Sequence, residues 1–220
     1  MEISPDYKGT RKYHDKDNFR VQRKESISMI KESVPFLVMR HAEMEADDVI
    51  ADLTLDLLPH SDEKIVVSTD TDFIQLCQDD NNNTKLYNPI KKQFREIPEY
   101  PYAQWKALRG DSADNIPGIR GIGDKRATNL FATAGALQDF LDSNENHKLL
   151  FLKNVDMIEL RPLSQQERKE VQMWYADQPL ESLRETFTQM DLKSMITEKA
   201  WNNYVKPFGG LRDGRKYFTS

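Results

Sequence analysis

The chain of 220 residues predicts an α/β fold with a largely parallel sheet flanked by helices, followed by a mostly helical region. Two observations predict the first part. Short apolar runs, "FLVMR" at 36–40 and "KIVVST" at 64–69, read as strands, and segments of helical periodicity separate them. A third observation predicts the second part: beyond about Pro101 the pattern turns helical and is punctuated by glycine.

Taken in order, a basic opening runs into a helix with Ile27, Ile30 and Val34 at i, i+3 and i+7. Pro35 ends that helix, since its ring cannot continue the hydrogen-bond ladder, and the strand "FLVMR" follows. A second helix starts near Ala46, with Val49, Ile50, Leu53 and Leu57 on its apolar face, and stops at Pro59. The strand "KIVVST" is expected to be buried on both faces. After it comes a short helix holding Phe73, Ile74, Leu76 and Cys77. An Asn-rich turn, Asn81 to Asn83, leads to "KLYNPIKKQFREI", which reads as a hairpin. "PYAQWKALRG" and "DKRATNLFATAG" read as helices, the latter ending near Gly135. "SQQERKEVQMWYADQ" reads as another, with Ser164 and Glu167 spaced as a capping box. The tail "KPFGGLRDGRKYFTS" reads as loosely ordered. The expected organisation is an α/β core over 1–100, a helical region over 101–160, and C-terminal helices with a tail over 161–220.

Composition narrows the class. Hydrophobic content of 38% with 30% charged residues is that of a soluble globular protein and excludes a disordered one. No apolar run reaches membrane-spanning length, and the first residues are polar, so the expected location is cytoplasmic with no membrane partner. A single cysteine, Cys77, cannot form an internal disulfide, which fits a reducing compartment. His14, His41, His60 and His147 show no metal-ligand spacing and are read as surface residues. The net charge of −5 is unevenly spread: residues 1–24 carry +3 and residues 201–220 another +3, leaving −11 between them. Basic ends around an acidic middle suit a molecule that holds acids for metal and bases for phosphate, although solvated faces would look the same.

The acids then decide the matter by convergence. Asp70 and Asp72 end a buried strand, where a carboxylate is costly to desolvate without a cation. Glu45, Asp47 and Asp48 crowd the start of a helix, more acids than capping needs. Asp111 and Asp114 stand three apart in "RGDSADNIPG". Each segment has a plain turn or cap reading by itself. Three such segments, each at a loop or helix end where an open α/β sheet places its sites, point to a shared centre. Oxygen ligands without Cys or His suit Mg²⁺ or Mn²⁺ rather than zinc. Two such ions can activate a water and stabilise the leaving oxygen of a phosphodiester.

"GIRGIGDKRATNLF" comes directly after. Gly118, Gly121 and Gly123 permit a tight hairpin whose backbone can approach a partner closely. A helix beginning near Asp124 offers its N-terminal amides to an anion, with Lys125 and Arg126 adjacent. This is a helix-hairpin-helix pattern, which grips phosphates without reading bases.

"MEADDVI", "STDTDFIQL" and "GDSADNIPGIRGIGDKRA", in that order, resemble the 5′-nuclease superfamily, which includes phage-type flap endonucleases and the 5′-nuclease domain of bacterial DNA polymerase I. "DYKGTR" resembles the family's Tyr-Lys-x-x-Arg segment, and the resemblance spans about Pro5 to Leu160. It implies a PIN-like core with a helix-hairpin-helix appended. The implied activity is structure-specific 5′-3′ exonuclease or flap endonuclease hydrolysis of DNA, or of RNA primers, in replication and repair. It further implies that Glu45, Asp47, Asp48, Asp70, Asp72, Asp111 and Asp114 hold two Mg²⁺ or Mn²⁺ ions, directly or through water. Lys8 and Arg11 would contact the scissile phosphate, and Tyr7 would stack on a base. The hairpin from Gly118 to Gly123, with Lys125 and Arg126, would hold duplex DNA, around a K⁺ ion in some relatives.

In the family, a first strand with two further metal aspartates precedes the Tyr-Lys segment. Here Met1 stands six residues before Tyr7, so the expectation is a chain without that region: half of a split nuclease, a truncated product, or a remnant kept for another role. A complementing N-terminal polypeptide is the corresponding partner. The alternative function is a DNA-junction binder that cleaves only with such a partner.

Overall fold

The structure is a computed structural model, and it describes residues 16–79, 81–176 and 179–210. The described residues divide into two compact units: those of 50–162 form one, and those of 16–49 with 163–210 form the other.

The first unit carries the acids that end the second strand and the glycine hairpin. Here β2 (Lys64–Val67) pairs in parallel with β3 (Thr84–Asn88), with Val66 opposite Leu86. As expected for a hairpin, β3 then pairs antiparallel with β4 (Gln93–Phe94). Tyr87 faces Phe94 across that pair, ring centroids 5.2 Å apart and edge to face, which adds to the register beyond the backbone bonds. A 3₁₀ turn over Asp72–Cys77 connects β2 to β3 and plugs Phe73, Ile74 and Leu76 into the core. α3 (Tyr102–Arg109), α4 (Asp124–Ala132), α5 (Ala136–Asp142) and α6 (Glu145–Ile158) complete the unit, with the two-residue strands β5 (Gly110–Asp111) and β6 (Ile116–Pro117) between α3 and α4. Leu76, Leu86, Ala107, Leu108, Ile119 and Ala127 are nearly solvent-free at its centre.

β2 is not buried on both faces as its composition suggests. Lys64 and Val66 are buried, whereas Ile65 and Val67 are 48% and 63% exposed. The strand alternates with the period of two that pleating imposes. Lys64 tolerates its inward position because its Nζ donates to the Pro59 carbonyl at 3.2 Å.

The helix α2 (Ala46–Asp52) is shorter than its apolar stripe, and the chain continues as a π-helical turn over Leu53–Leu57. Thr54 explains the change. Its hydroxyl donates to the carbonyls of Ile50 and Ala51, at 2.9 and 3.2 Å, and competes with the ordinary ladder. Cys77 packs at the end of the 3₁₀ turn, and burial pushes its thiol up to about 11. Since the thiolate is the reactive form, alkylation by iodoacetamide at pH 8 should be about tenfold or more slower in the folded than in the urea-unfolded protein, read by mass spectrometry. Equal rates would mean that the thiol is exposed.

In the second unit α1 (Lys16–Ser33) leads to β1 (Val38–Arg40), and "FLVMR" does form a strand there. Its partner is unexpected: β1 pairs antiparallel with β7 (Gln172–Trp174), with Met39 opposite Met173. The helix read over "SQQERKEVQMWYADQ" therefore ends early. α7 (Gln165–Lys169) starts with the expected capping box between Ser164 and Glu167, but "QMW" is strand because β1 supplies a ladder that local propensity does not see. α8 (Pro179–Gln189), α9 (Lys193–Ile196) and α10 (Glu198–Val205) close the unit, with Val34, Leu183, Phe187 and Trp201 buried together.

His41 corrects the surface reading of the histidines. It is 5% exposed, and its Nδ1 accepts from the backbone N–H groups of Glu43 and Met44, both at 3.0 Å, which fastens the turn before α2. An imidazole acceptor replaces a carbonyl in that turn, a role invisible to metal-ligand spacing.

Among the described residues, no helix is long and apolar enough to cross a membrane. Of the tail read as loosely ordered over 206–220, Lys206–Gly210 instead forms a 3₁₀ turn, ordered because Phe208 packs against the cluster of Val34, Leu183, Phe187 and Trp201, and the remainder lies outside the described residues.

Candidate metal centre

Three of the seven acids come together in the first unit. Asp72 opens the 3₁₀ turn after β2, Asp111 ends β5, and Asp114 lies in the turn between β5 and β6. Carboxylate oxygens of all three lie within 4.8 Å of one another. The turn that brings this about is tight: Gly110 sits at φ +83° and Asn115 at φ +61°, positive values that glycine and asparagine adopt most readily. Two separated segments thus place acids at one point, and the all-oxygen donor set fits a hard divalent cation.

The turn chemistry that competed with the metal reading is also present. The Asp70 N–H donates to the Ser68 hydroxyl at 3.1 Å, and the Asp72 N–H to Asp70 Oδ1 at 3.0 Å. Asp70 is exposed and outside the three-residue cluster, though close enough to act on the charge of Asp72. Glu45, Asp47 and Asp48 begin α2 in the second unit, where the Glu45 N–H donates to Asp48 Oδ2 at 3.0 Å. Tyr7, Lys8 and Arg11 lie outside the described residues.

Sequence reasoning missed Lys106. Its side chain is 5% exposed and its ammonium bridges Asp72 and Asp111, the latter at 2.5 Å. A signal was there: Tyr102, Trp105 and Lys106 stand at i, i+3 and i+4 on α3, so the lysine shares the buried stripe. Burial disfavours its charge, but the two carboxylates outweigh burial and hold the ammonium above its ordinary range. For Asp72 burial wins, with help from Asp70 and Asp111, and its carboxyl is pushed up despite Lys106. Asp111 is pushed up by burial too, yet the hydrogen bond and charge of Lys106 with the Ala113 N–H (2.9 Å) and Arg109 hold it below the usual carboxylate range. The two acids therefore sit on opposite sides of ordinary, as unequal partners of one cation.

Asn154 was also missed. Only 1% exposed on α6, it donates to the carbonyls of Ala107 and Pro117, at 2.9 and 2.8 Å, and so ties α3 to β6 behind the acids.

The glycine hairpin joins α3 to α4 as expected, with the Ile119 N–H on the Leu108 carbonyl at 2.8 Å. Its glycines differ in purpose. Gly118 faces inward: a Cβ there would overlap the Arg109 carbonyl. The close backbone approach that its sequence suggested is satisfied within the protein. Gly121 has φ +81°, and Gly123 precedes α4 with open space where a Cβ would stand. Lys125 and Arg126 are exposed on the first turn of α4. Arg126 lies over the Phe140 ring at 5.8 Å and reaches the Gly121 carbonyl at 3.5 Å, while Arg109 pairs with Asp124 at 3.3 Å.

Two family models match the chain. A family model described as the 5′-3′ exonuclease N-terminal resolvase-like domain matches residues 1–105. A second, the 5′-3′ exonuclease C-terminal SAM fold, matches residues 97–198. Flap endonuclease Xni of Shewanella denitrificans is 37% identical over 114 residues, 48% of this chain and 44% of that protein. DNA polymerase I of Lactococcus lactis subsp. cremoris is 32% identical over 171 residues, 70% of this chain and 19% of that protein. The chain thus spans less than half the length of these curated relatives. Among solved structures, the T5 D15 protein co-crystallized with metal ions shares the fold, with a TM-score of 0.53 at 19% identity over 92% of this chain and 76% of that one.

The fold is that of an α/β protein with a helix-hairpin-helix beside clustered carboxylates. The chain belongs to the 5′-3′ exonuclease family.

Proposed function

We propose that this chain takes part in hydrolysing phosphodiesters near 5′ ends or flaps of DNA, or of RNA primers, with two Mg²⁺ or Mn²⁺ ions at the carboxylates. The observation that carries the reading is the convergence of Asp72, Asp111 and Asp114, from two separate segments, to within 4.8 Å. When bound, such ions activate water and offset the charge that develops on the phosphate oxygens. Asp72, Asp111 and Asp114 would hold them, with Asp70 close by and Glu45, Asp47 and Asp48 as the further acids of the family pattern. The hairpin from Gly118 to Gly123, with Lys125 and Arg126, would hold the duplex by its backbone, around K⁺ as the family resemblance implies, while Tyr7, Lys8 and Arg11 would serve the scissile region. The reaction takes place in the cytoplasm.

The test compares a 5′-flap duplex, a gapped duplex and single-stranded RNA, each with Mg²⁺ and with EDTA. Cleavage of the flap in Mg²⁺ alone is the expected result. Cleavage of the RNA alone would point to a ribonuclease, and tight flap binding without cleavage to a junction binder.

Lys125→Ala should weaken binding to all duplexes alike, whatever their sequence, because backbone contacts carry no base information. The slope of log affinity against log salt should fall by roughly one unit. An unchanged slope, measured by fluorescence anisotropy from 50 to 200 mM salt, would remove Lys125 from the interface.

A second reading rests on β2. Among the described residues it is the edge strand of its sheet, and Ile65 and Val67 are exposed there. A complementing polypeptide that adds a strand at this edge would bring further acids to the site. Adding an N-terminal fragment of a relative should then raise Mg²⁺-dependent flap cleavage, and no gain in rate counts against it.

A further inference from the structure

The lysine between the acids has a consequence for how the site takes up metal. Lys106 reaches Asp72 and Asp111 from α3 with its stem packed in the core, and its side chain is only 5% exposed. Both oxygens of Asp111 are engaged, Oδ2 by Lys106 and Oδ1 by the Ala113 N–H. An ion that takes these oxygens meets them already in use. An ammonium has three donors and no lone pair, so it can pair with the carboxylates but never share an ion with them. Two acids this close, Asp111 buried and Asp72 half-buried, repel without a cation, and the lysine supplies one from within the chain.

We propose that Lys106 is a tethered stand-in for the metal: it holds Asp72 and Asp111 together before a divalent ion arrives, and the ion displaces it. The inference rests on reading the carboxylates as a divalent-cation site. Arg109, one turn nearer Asp111 in sequence, does not substitute, because it is partly exposed and paired with Asp124. Lys106 therefore lowers the affinity for the ion while keeping the empty site assembled.

Lys106→Met keeps the length of the stem and removes the charge. Calorimetric titration with Mn²⁺ should show binding about tenfold tighter than in the unaltered protein, since a cation no longer opposes the ion. Without metal the variant should melt lower, and its gain in melting temperature on adding Mn²⁺ should be the larger of the two. Binding of equal or lower affinity overturns the proposal and leaves Lys106 as a fixed positioning residue. Absence of Mn²⁺ binding in both proteins overturns the metal reading itself, a distinct result. The unaltered chain supplies a measurement that does not depend on folding of the variant. Lys106 should be protected from amine acetylation in EDTA and labelled several-fold faster in Mn²⁺, with Lys125 unchanged as the internal control. Protection that persists in saturating Mn²⁺ overturns displacement.

Discussion

Asp111→Asn is expected to abolish divalent-dependent cleavage while leaving the fold in place. The change keeps the shape of the side chain and the acceptor for the Ala113 N–H, and removes the charge that faces Lys106 and Asp114. Ions at such a site supply several kcal/mol of charge stabilisation in the transition state, which corresponds to a loss of about 10³-fold in rate. Initial rates on a 5′-flap duplex in Mg²⁺ measure it. Affinity for the same duplex in EDTA should be unchanged or higher, because one carboxylate fewer repels the phosphates. Stability should fall by only about 1–3 kcal/mol, since Lys106 keeps its pair with Asp72. A variant that cleaves at the unaltered rate would reduce the cluster to turn chemistry.

The largest effect on folding is expected at Gly118. A methyl group there overlaps the Arg109 carbonyl and crowds the Gly110 backbone, and neither is the movable end of a side chain. Gly118→Ala should cost about 3 kcal/mol, the upper range for overpacking a closed contact. For a unit of this size the melting temperature should drop by roughly 10 °C or more. Gly123→Ala is the matched control, since its φ of −103° suits any residue and nothing stands within 4 Å of the new atom. It should melt within about 2 °C of the unaltered protein. Equal melting of all three proteins would show that the hairpin is looser than these contacts imply.

The acid cluster and the glycine hairpin depend on contacts of different origin, and so does the rest of the fold. Structure set by neighbours in sequence was legible. The capping box of Ser164 and Glu167 forms because both partners lie in one turn. The hairpin of β3 and β4 arises from two apolar runs around a short connection, with Tyr87 meeting Phe94. Asp111 and Asp114 share a glycine- and asparagine-bearing turn whose positive φ values are a local matter. The order of motifs was enough to name the family.

Structure set by partners far along the chain was not legible. "QMW" is a strand because β1, more than 130 residues earlier, offers it a ladder. Asn154 is an anchor because α3 and β6 present two carbonyls to it. Lys106 looked like one more charge on a helix, and only packing reveals that its ammonium lies between two acids. Periodicity reports which face of an element is apolar, and turn chemistry reports where the chain reverses. Neither carries the identity of the surface that will be met. A buried polar side chain is defined by that surface, through the hydrogen bonds it must find once water is excluded, so its role was decided by the tertiary structure alone.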